Sequence, residues 1–203
     1  MMTEEKLKSI LEEKSVKVFC DSHWLITNNV YIRSGVTKDV LVFKNRGFVI
    51  KCDKRESYSE RSYCHLEAEN YSKAVDMGIE KILLPTTTFC TANDGTIFYK
   101  QPIYKGDAQF DKEEVNTRAQ YVEETKKREY RINKLVNLFC DSYTIGRNQE
   151  WIARAIQYYG YKFMRKVAEW TFLNDINDLH PGNVGYVGNY RPIILDYSGY
   201  YGF

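Results

Sequence analysis

The chain has 203 residues, 29 of them Lys or Arg and 27 Asp or Glu, for a net charge of +2. That near-balance excludes a global electrostatic case for nucleic acid or a membrane surface as partner, while 43% hydrophobic residues suffice to bury one large domain or two small lobes. The five cysteines, Cys20, Cys52, Cys64, Cys90 and Cys140, are scattered and never spaced as Cys-x-x-Cys, which argues against a zinc site or a disulfide scaffold and for a reducing cytoplasm.

Residues 1–6 lack the apolar run of a signal peptide and no later stretch is long and apolar enough to span a bilayer, so a cytoplasmic protein is expected. Thr3 is placed to cap a short helix reaching Lys14, with Leu7, Ile10 and Leu11 as its apolar stripe and Lys6 where a capping box has Glu or Gln. The pattern then changes to short β-rich runs at 16–19, 30–32, 40–43 and 48–51, with Asn45-Arg46-Gly47 as a tight hairpin between the last two. Ser34-Gly35-Val36-Thr37-Lys38-Asp39 joins two of these runs. Backbone N–H groups of such a turn can point at phosphate oxygens, and a glycine permits close approach; a plain hairpin turn uses the same residues.

Phe48-Val49-Ile50-Lys51 is an apolar strand ending in a lysine. Such a lysine is either a solvent-facing end or half of an ion pair, and the next helix, predicted over 60–77, decides. Glu67 lies four residues from Tyr63 and Tyr71 and seven from Ala74, on the apolar face, whereas Glu69 lies four before Lys73 in the favoured order for an exposed pair. An inward carboxylate is costly without a cation, so Glu67 is expected to meet Lys51 and Glu69 to lie on the surface.

Phe89 and residues 96–99 flank the turn Asn93-Asp94-Gly95 as a strand hairpin, and Lys100-Gln101-Pro102-Ile103-Tyr104 follows as a connecting stretch. Lys105-Gly106-Asp107 reads as a linker. Beyond it, 111–139 is charged and amphipathic, and 149–173 carries Trp151, Ile152, Ala155, Ile156, Tyr159, Phe163, Val167 and Trp170 as one long buried helical stripe.

The run from Asn174 to Asn183 reads Asn-Asp-Ile-Asn-Asp-Leu-His-Pro-Gly-Asn, and Ile193-Ile194-Leu195-Asp196 ends a second apolar strand. Between them, two short strand-like runs around a Gly-Asn turn form a hairpin that delivers Asp196 beside Asn183. Carboxylate and amide oxygens are the hard ligands magnesium prefers. Asp, Asn, Pro and Gly also make ordinary capped turns.

Asp178-Leu179-His180-Pro181-Gly182-Asn183 resembles the catalytic loop of the protein-kinase-like superfamily, closest in wording to its small-molecule branch. Phe48-Val49-Ile50-Lys51 resembles its Val-Ala-Ile-Lys strand, and Asp196-Tyr197-Ser198 stands where the family has Asp-Phe-Gly. The resemblance spans roughly residues 30 to 199 and looks like a compact phage or bacterial member. It implies an α+β, bilobal fold: an N-terminal lobe over 1–104 with an antiparallel β-sheet and one main helix, and a reduced, mostly helical C-terminal lobe over 105–203. It also implies ATP and Mg2+ as cofactors.

By that resemblance Asp178 is the base for the substrate hydroxyl, His180 approaches the transferred phosphate, and Asn183 and Asp196 bind metal. Lys51, held by Glu67, reaches the nucleotide's phosphates. Ser34, Gly35, Val36, Thr37 and Lys38 form the phosphate loop, and the backbone of Gln101 and Ile103 meets the adenine. The acceptor is an unidentified protein or small-molecule hydroxyl.

The chain departs from the family in three ways. Ile176-Asn177 replaces the usual His-Arg or His-Gly, Tyr197-Ser198 replaces Phe-Gly, and Phe203 stands seven residues past Asp196, which leaves out the activation segment and later helical subdomain. Two other functions therefore stay open: a kinase-fold module that binds a nucleotide and a host or partner protein, and nucleotidyl transfer with the same metal ligands. The aromatics Tyr197, Tyr200, Tyr201 and Phe203 either cap the C-terminal lobe or form a homodimer surface.

Overall fold

The structure, a computed structural model, describes residues 2–35, 37–54, 62–103, 145–177, 179, 181–188 and 191–199. It is α+β, with five helices, one five-stranded antiparallel sheet and one two-stranded hairpin among those residues. The chain divides into two compact units, one of residues 1–72 with 85–103 and one of 73–84 with 104–203.

In the first unit, α1 (Glu4–Lys14) starts at Thr3, whose hydroxyl accepts from the Lys6 amide at 3.2 Å. Leu7 and Leu11 are fully buried, the periodicity that the sequence shows. The strands are β1 (Tyr31–Ser34), β2 (Lys38–Phe43), β3 (Phe48–Asp53), β4 (Thr87–Thr91) and β5 (Ile97–Pro102), in the order β1-β2-β3-β5-β4. Leu41, Phe43, Phe48, Ile50, Cys52 and Phe98 project from one sheet face into a shared core with Leu7, Leu11 and Val18. Gly47, at φ 73°, closes the turn between β2 and β3 where a side chain would be strained.

The 16–19 run is not a strand. It lies in a 3₁₀ helix, Ser15–Cys20, that buries Val18 and ends at Asp21. Asp21 then caps an unexpected helix, α2 (Ser22–Asn28), by accepting from the Trp24 amide at 2.9 Å. A single inward apolar residue needs no strand; only contact with the α1 core decides this segment. Helix α3 (Tyr63–Asp76) follows β3. Lys100, Gln101 and Pro102, expected in the connecting stretch, belong to β5 and pair with β3 through Phe48↔Pro102 and Val49↔Gln101.

The second unit contains α4 (Ile145–Tyr159), α5 (Tyr161–Leu173) and a hairpin of β6 (Val184–Val187) with β7 (Arg191–Ile194). The single helix expected over 149–173 is two, because Gly160 adopts φ 86° and ψ 154° and interrupts the ladder. Trp151, Ile152, Ala155, Val167 and Trp170 are buried as the stripe predicts. The Leu84 amide donates to the Ile194 carbonyl at 2.9 Å, and the Tyr197 hydroxyl donates to the Leu84 carbonyl at 2.6 Å. The predicted linker at 105–107, the helices of 111–139 and the aromatics Tyr200, Tyr201 and Phe203 lie outside the described residues. No helix among the described residues is long and apolar enough to cross a membrane.

Candidate functional site

The sheet face opposite the α1 core carries the polar residues. Cross-strand partners share a face, and the register pairs Lys38 with Asp53, Val40 with Lys51, Val42 with Val49, Lys51 with Tyr99 and Val49 with Gln101. Helix α3 covers part of this face with Tyr63, Cys64, Glu67 and Asn70, all buried. Val40, Val42 and Val49 are half-buried, an apolar shelf beside Lys51.

Glu67 is the centre of the arrangement and is 0% exposed. Its Oε1 accepts from Lys51 Nζ at 3.1 Å, from the Thr86 hydroxyl at 2.8 Å and from Gln101 Nε2 at 3.0 Å. Its Oε2 accepts from Lys38 Nζ at 2.7 Å. Gln101 Nε2 also lies 3.1 Å from Thr86 Oγ1. A buried carboxylate is tolerated only when paired and hydrogen-bonded, and four donors from β2, β3, β5 and the segment before β4 meet that demand. Glu69 is exposed, as its spacing indicates.

Asp53, at the end of the strand that carries Lys51, fastens α3. Its carboxylate accepts from the Ser62 hydroxyl and, at 3.0 Å, from the Cys64 amide, and Ser62 Oγ accepts from the His65 amide at 3.0 Å. The first turn of the helix is thus capped from β3, which holds Glu67 and Lys51 in register. Burial first, and the Asp53 carboxylate second, push the Cys64 thiol far up, so it is no nucleophile. Burial also raises the Tyr99 hydroxyl, which lies 3.1 Å from His65 Nδ1, to about 12.

The residues of the expected phosphate loop and adenine contact take these places in the fold. Lys38 is the first residue of β2, 6% exposed, with its ammonium on Glu67. The Gly35 amide donates to the Lys38 carbonyl at 2.9 Å and closes a hairpin turn; Ser34 ends β1 and its hydroxyl bonds Asp39, and the Thr37 carbonyl accepts from the Lys54 amide at 2.9 Å. Val36 lies outside the described residues. The Ile103 amide donates to the Gly47 carbonyl at 2.8 Å, and Gln101 pairs with Val49 in the sheet while its side chain meets Glu67. Sequence reasoning missed Asp53, Thr86 and the side chain of Gln101. The only local signal is alternation, since Lys38, two residues from Val40, falls on the Lys51 face once the register is known.

In the second unit, the β6–β7 hairpin brings Asn183 and the segment of Asp196 side by side, for the Leu195 amide donates to the Asn183 carbonyl at 2.8 Å. Asp196 Oδ1 accepts from the Ser198 amide at 3.3 Å and the Ser198 hydroxyl at 3.0 Å. Tyr197 is 1% exposed and packs at 5.9 Å from Trp170, so this aromatic is an internal anchor and not a dimer surface. Gly199 sits at φ 77°, where a Cβ would lie 2.7 Å from the Asp175 carbonyl oxygen. That approach packs the turn after Asp196 against the start of the loop. Ile176 and Leu179 are buried, 3% and 1% exposed. Asp178 and His180 lie outside the described residues.

Among the described residues no three His, Cys, Asp or Glu side chains converge as a metal site. The amide and carboxylate oxygens of Asn183 and Asp196 are the donor chemistry that fits magnesium, which binds through one or two carboxylates plus substrate phosphates and does not need a protein cage. Comparisons of this chain with family models, curated proteins and solved structures find no match.

Proposed function

We propose that the chain is an ATP- and magnesium-dependent phosphotransferase with a bilobal protein-kinase-like fold. The observation that carries the reading is the buried Lys51–Glu67 pair at 3.1 Å, made between a strand and the following helix. The adjacent shelf of Val40, Val42 and Val49 supports a base-stacking surface on the same sheet face, and the hairpin that joins Asn183 to the Asp196 segment supports a metal-binding pair.

In this reading Lys51 holds nucleotide phosphates, and Glu67 orients its ammonium. Asn183 and Asp196 hold magnesium, which neutralises charge on the phosphate oxygens when bound. Asp178 accepts the proton of the acceptor hydroxyl while that oxygen bonds to the γ-phosphorus and the bond to the β–γ bridging oxygen breaks, releasing ADP. His180, two residues on in the sequence, is the donor to the transferred group in this reading. Catalysis is then positioning and electrostatics, with little covalent work for the protein.

One observation favours a second reading, a nucleotide- or partner-binding module without turnover: the Gly35 and Ile103 amides, two expected ligand donors, are both committed within the fold. The test is the intact mass of the purified protein before and after incubation with magnesium and ATP, with product nucleotides followed in parallel and Asp196→Ala as control. A phosphate adduct, or ADP release that the control loses, supports the phosphotransferase. An AMP adduct replaces it with nucleotidyl transfer. Nucleotide binding without product supports the module.

A further inference from the structure

Glu67 is shared by two lysines. Lys38 Nζ meets Oε2 at 2.7 Å, inside the usual range of charge-assisted bonds, whereas Lys51 Nζ meets Oε1 at 3.1 Å, outside it. The side chains are 7% and 10% exposed, and they come from neighbouring strands on one sheet face. Oε1 has two further donors, Thr86 and Gln101, both neutral. Among the described residues Lys51 meets only Glu67.

We infer that Lys38 is a positioning residue that neutralises Glu67 so that the Lys51 ammonium can be shared with a bound polyphosphate. This deepens the phosphotransferase reading and rests on it. The physical reason is desolvation. If a single lysine served Glu67, drawing it toward an anion would leave a buried carboxylate uncompensated, a costly state. With Lys38 on Oε2 and two neutral donors on Oε1, Glu67 stays satisfied while Lys51 turns. The division of labour follows the distances: Lys38 makes the closer contact and Lys51 the looser one.

The consequence is a particular sign of coupling between Lys38 and Glu67. In Lys38→Met, Lys51 becomes the main cation of Glu67 and is held back from the anion, so affinity for inorganic tripolyphosphate and for magnesium ATP falls by about tenfold or more. Removing the carboxylate charge in the same background, Lys38→Met with Glu67→Gln, releases Lys51 and restores most of that loss. A lysine with a merely structural role gives the opposite result, because a second core substitution only adds damage.

Calorimetric titration of the wild type, K38M, E67Q and the double variant with both probes reads this out, with circular dichroism as the check on folding. If K38M does not fold, Lys38→Gln takes its place, since it keeps a donor on Oε2 and removes only the charge. Recovery in the double variant supports the inference. Unchanged affinity in the Lys38 variant, or a double variant weaker than it, overturns the inference and leaves the phosphotransferase reading standing. A wild type that binds neither probe overturns both.

Discussion

Replacing Glu67 by Ala removes the one carboxylate that four buried donors share. Hydrogen bonds to charged groups contribute about 1.5–3 kcal/mol each, but donors on one carboxylate act as a unit and do not add. Breaking a buried ion pair by removing one partner costs about 3–5 kcal/mol, and here two ammoniums, with side chains 7% and 10% exposed, lose their common anion. Against a total stability of about 5–15 kcal/mol this is a large share. Urea-dependent hydrogen exchange of the β3 and α3 amides should show a loss of at least about 3 kcal/mol in Glu67→Ala. The triple change Lys38→Met, Lys51→Met and Glu67→Leu should recover most of it, since an apolar cluster of similar volume replaces the charges. A Glu67→Ala protein within about 1 kcal/mol of wild type would refute the reasoning, because it would mean the charges are solvated in the folded state.

Three further outcomes are expected. Gly199→Ala should lower stability by about 1–3 kcal/mol in thermal melts, because the new Cβ would lie 2.7 Å from the Asp175 carbonyl oxygen at φ 77°, and turnover should fall with it. Burial raises Tyr99 from 10.0 to about 12, so the folded state holds this proton more tightly than the unfolded one. That contribution is complete below pH 10 and is lost as pH rises toward 12, so the fall in melting temperature over that window should be shallower in Tyr99→Phe than in wild type. Asp178→Ala should lower transfer by about 10²–10⁴-fold while nucleotide affinity in calorimetry changes little, whereas Asp196→Ala should weaken magnesium ATP binding itself. Full activity in the Asp178 variant would end its assignment as base.

Local pattern alone determined the elements that bury one regular face. Leu7 and Leu11 mark α1, the apolar run Phe48-Val49-Ile50 before Lys51 marks β3, though the strand goes on to Asp53, and the spacing of Glu67 among Tyr63 and Ala74 singles out the inward acid over Glu69, because such patterns are properties of the chain itself. The hairpin between Asn183 and Asp196 was legible for the same reason. Tertiary contact decided the rest. The 16–19 run becomes a 3₁₀ helix because Val18 needs only to reach the α1 core, and the predicted long helix breaks because Gly160 takes a conformation that its neighbours' periodicity does not reveal. Lys38 reads as a loop lysine beside Gly35 until the β2–β3 register pairs Val40, two residues along β2, with Lys51 and so puts Lys38 on the same face. Thr86 and Gln101 carry no local signal for Glu67, for they lie 19 and 34 residues from it and meet it only when β5 and the segment before β4 fold beneath α3. A carboxylate's need for partners is written in the sequence; which donors meet that need is a matter of strand order and register.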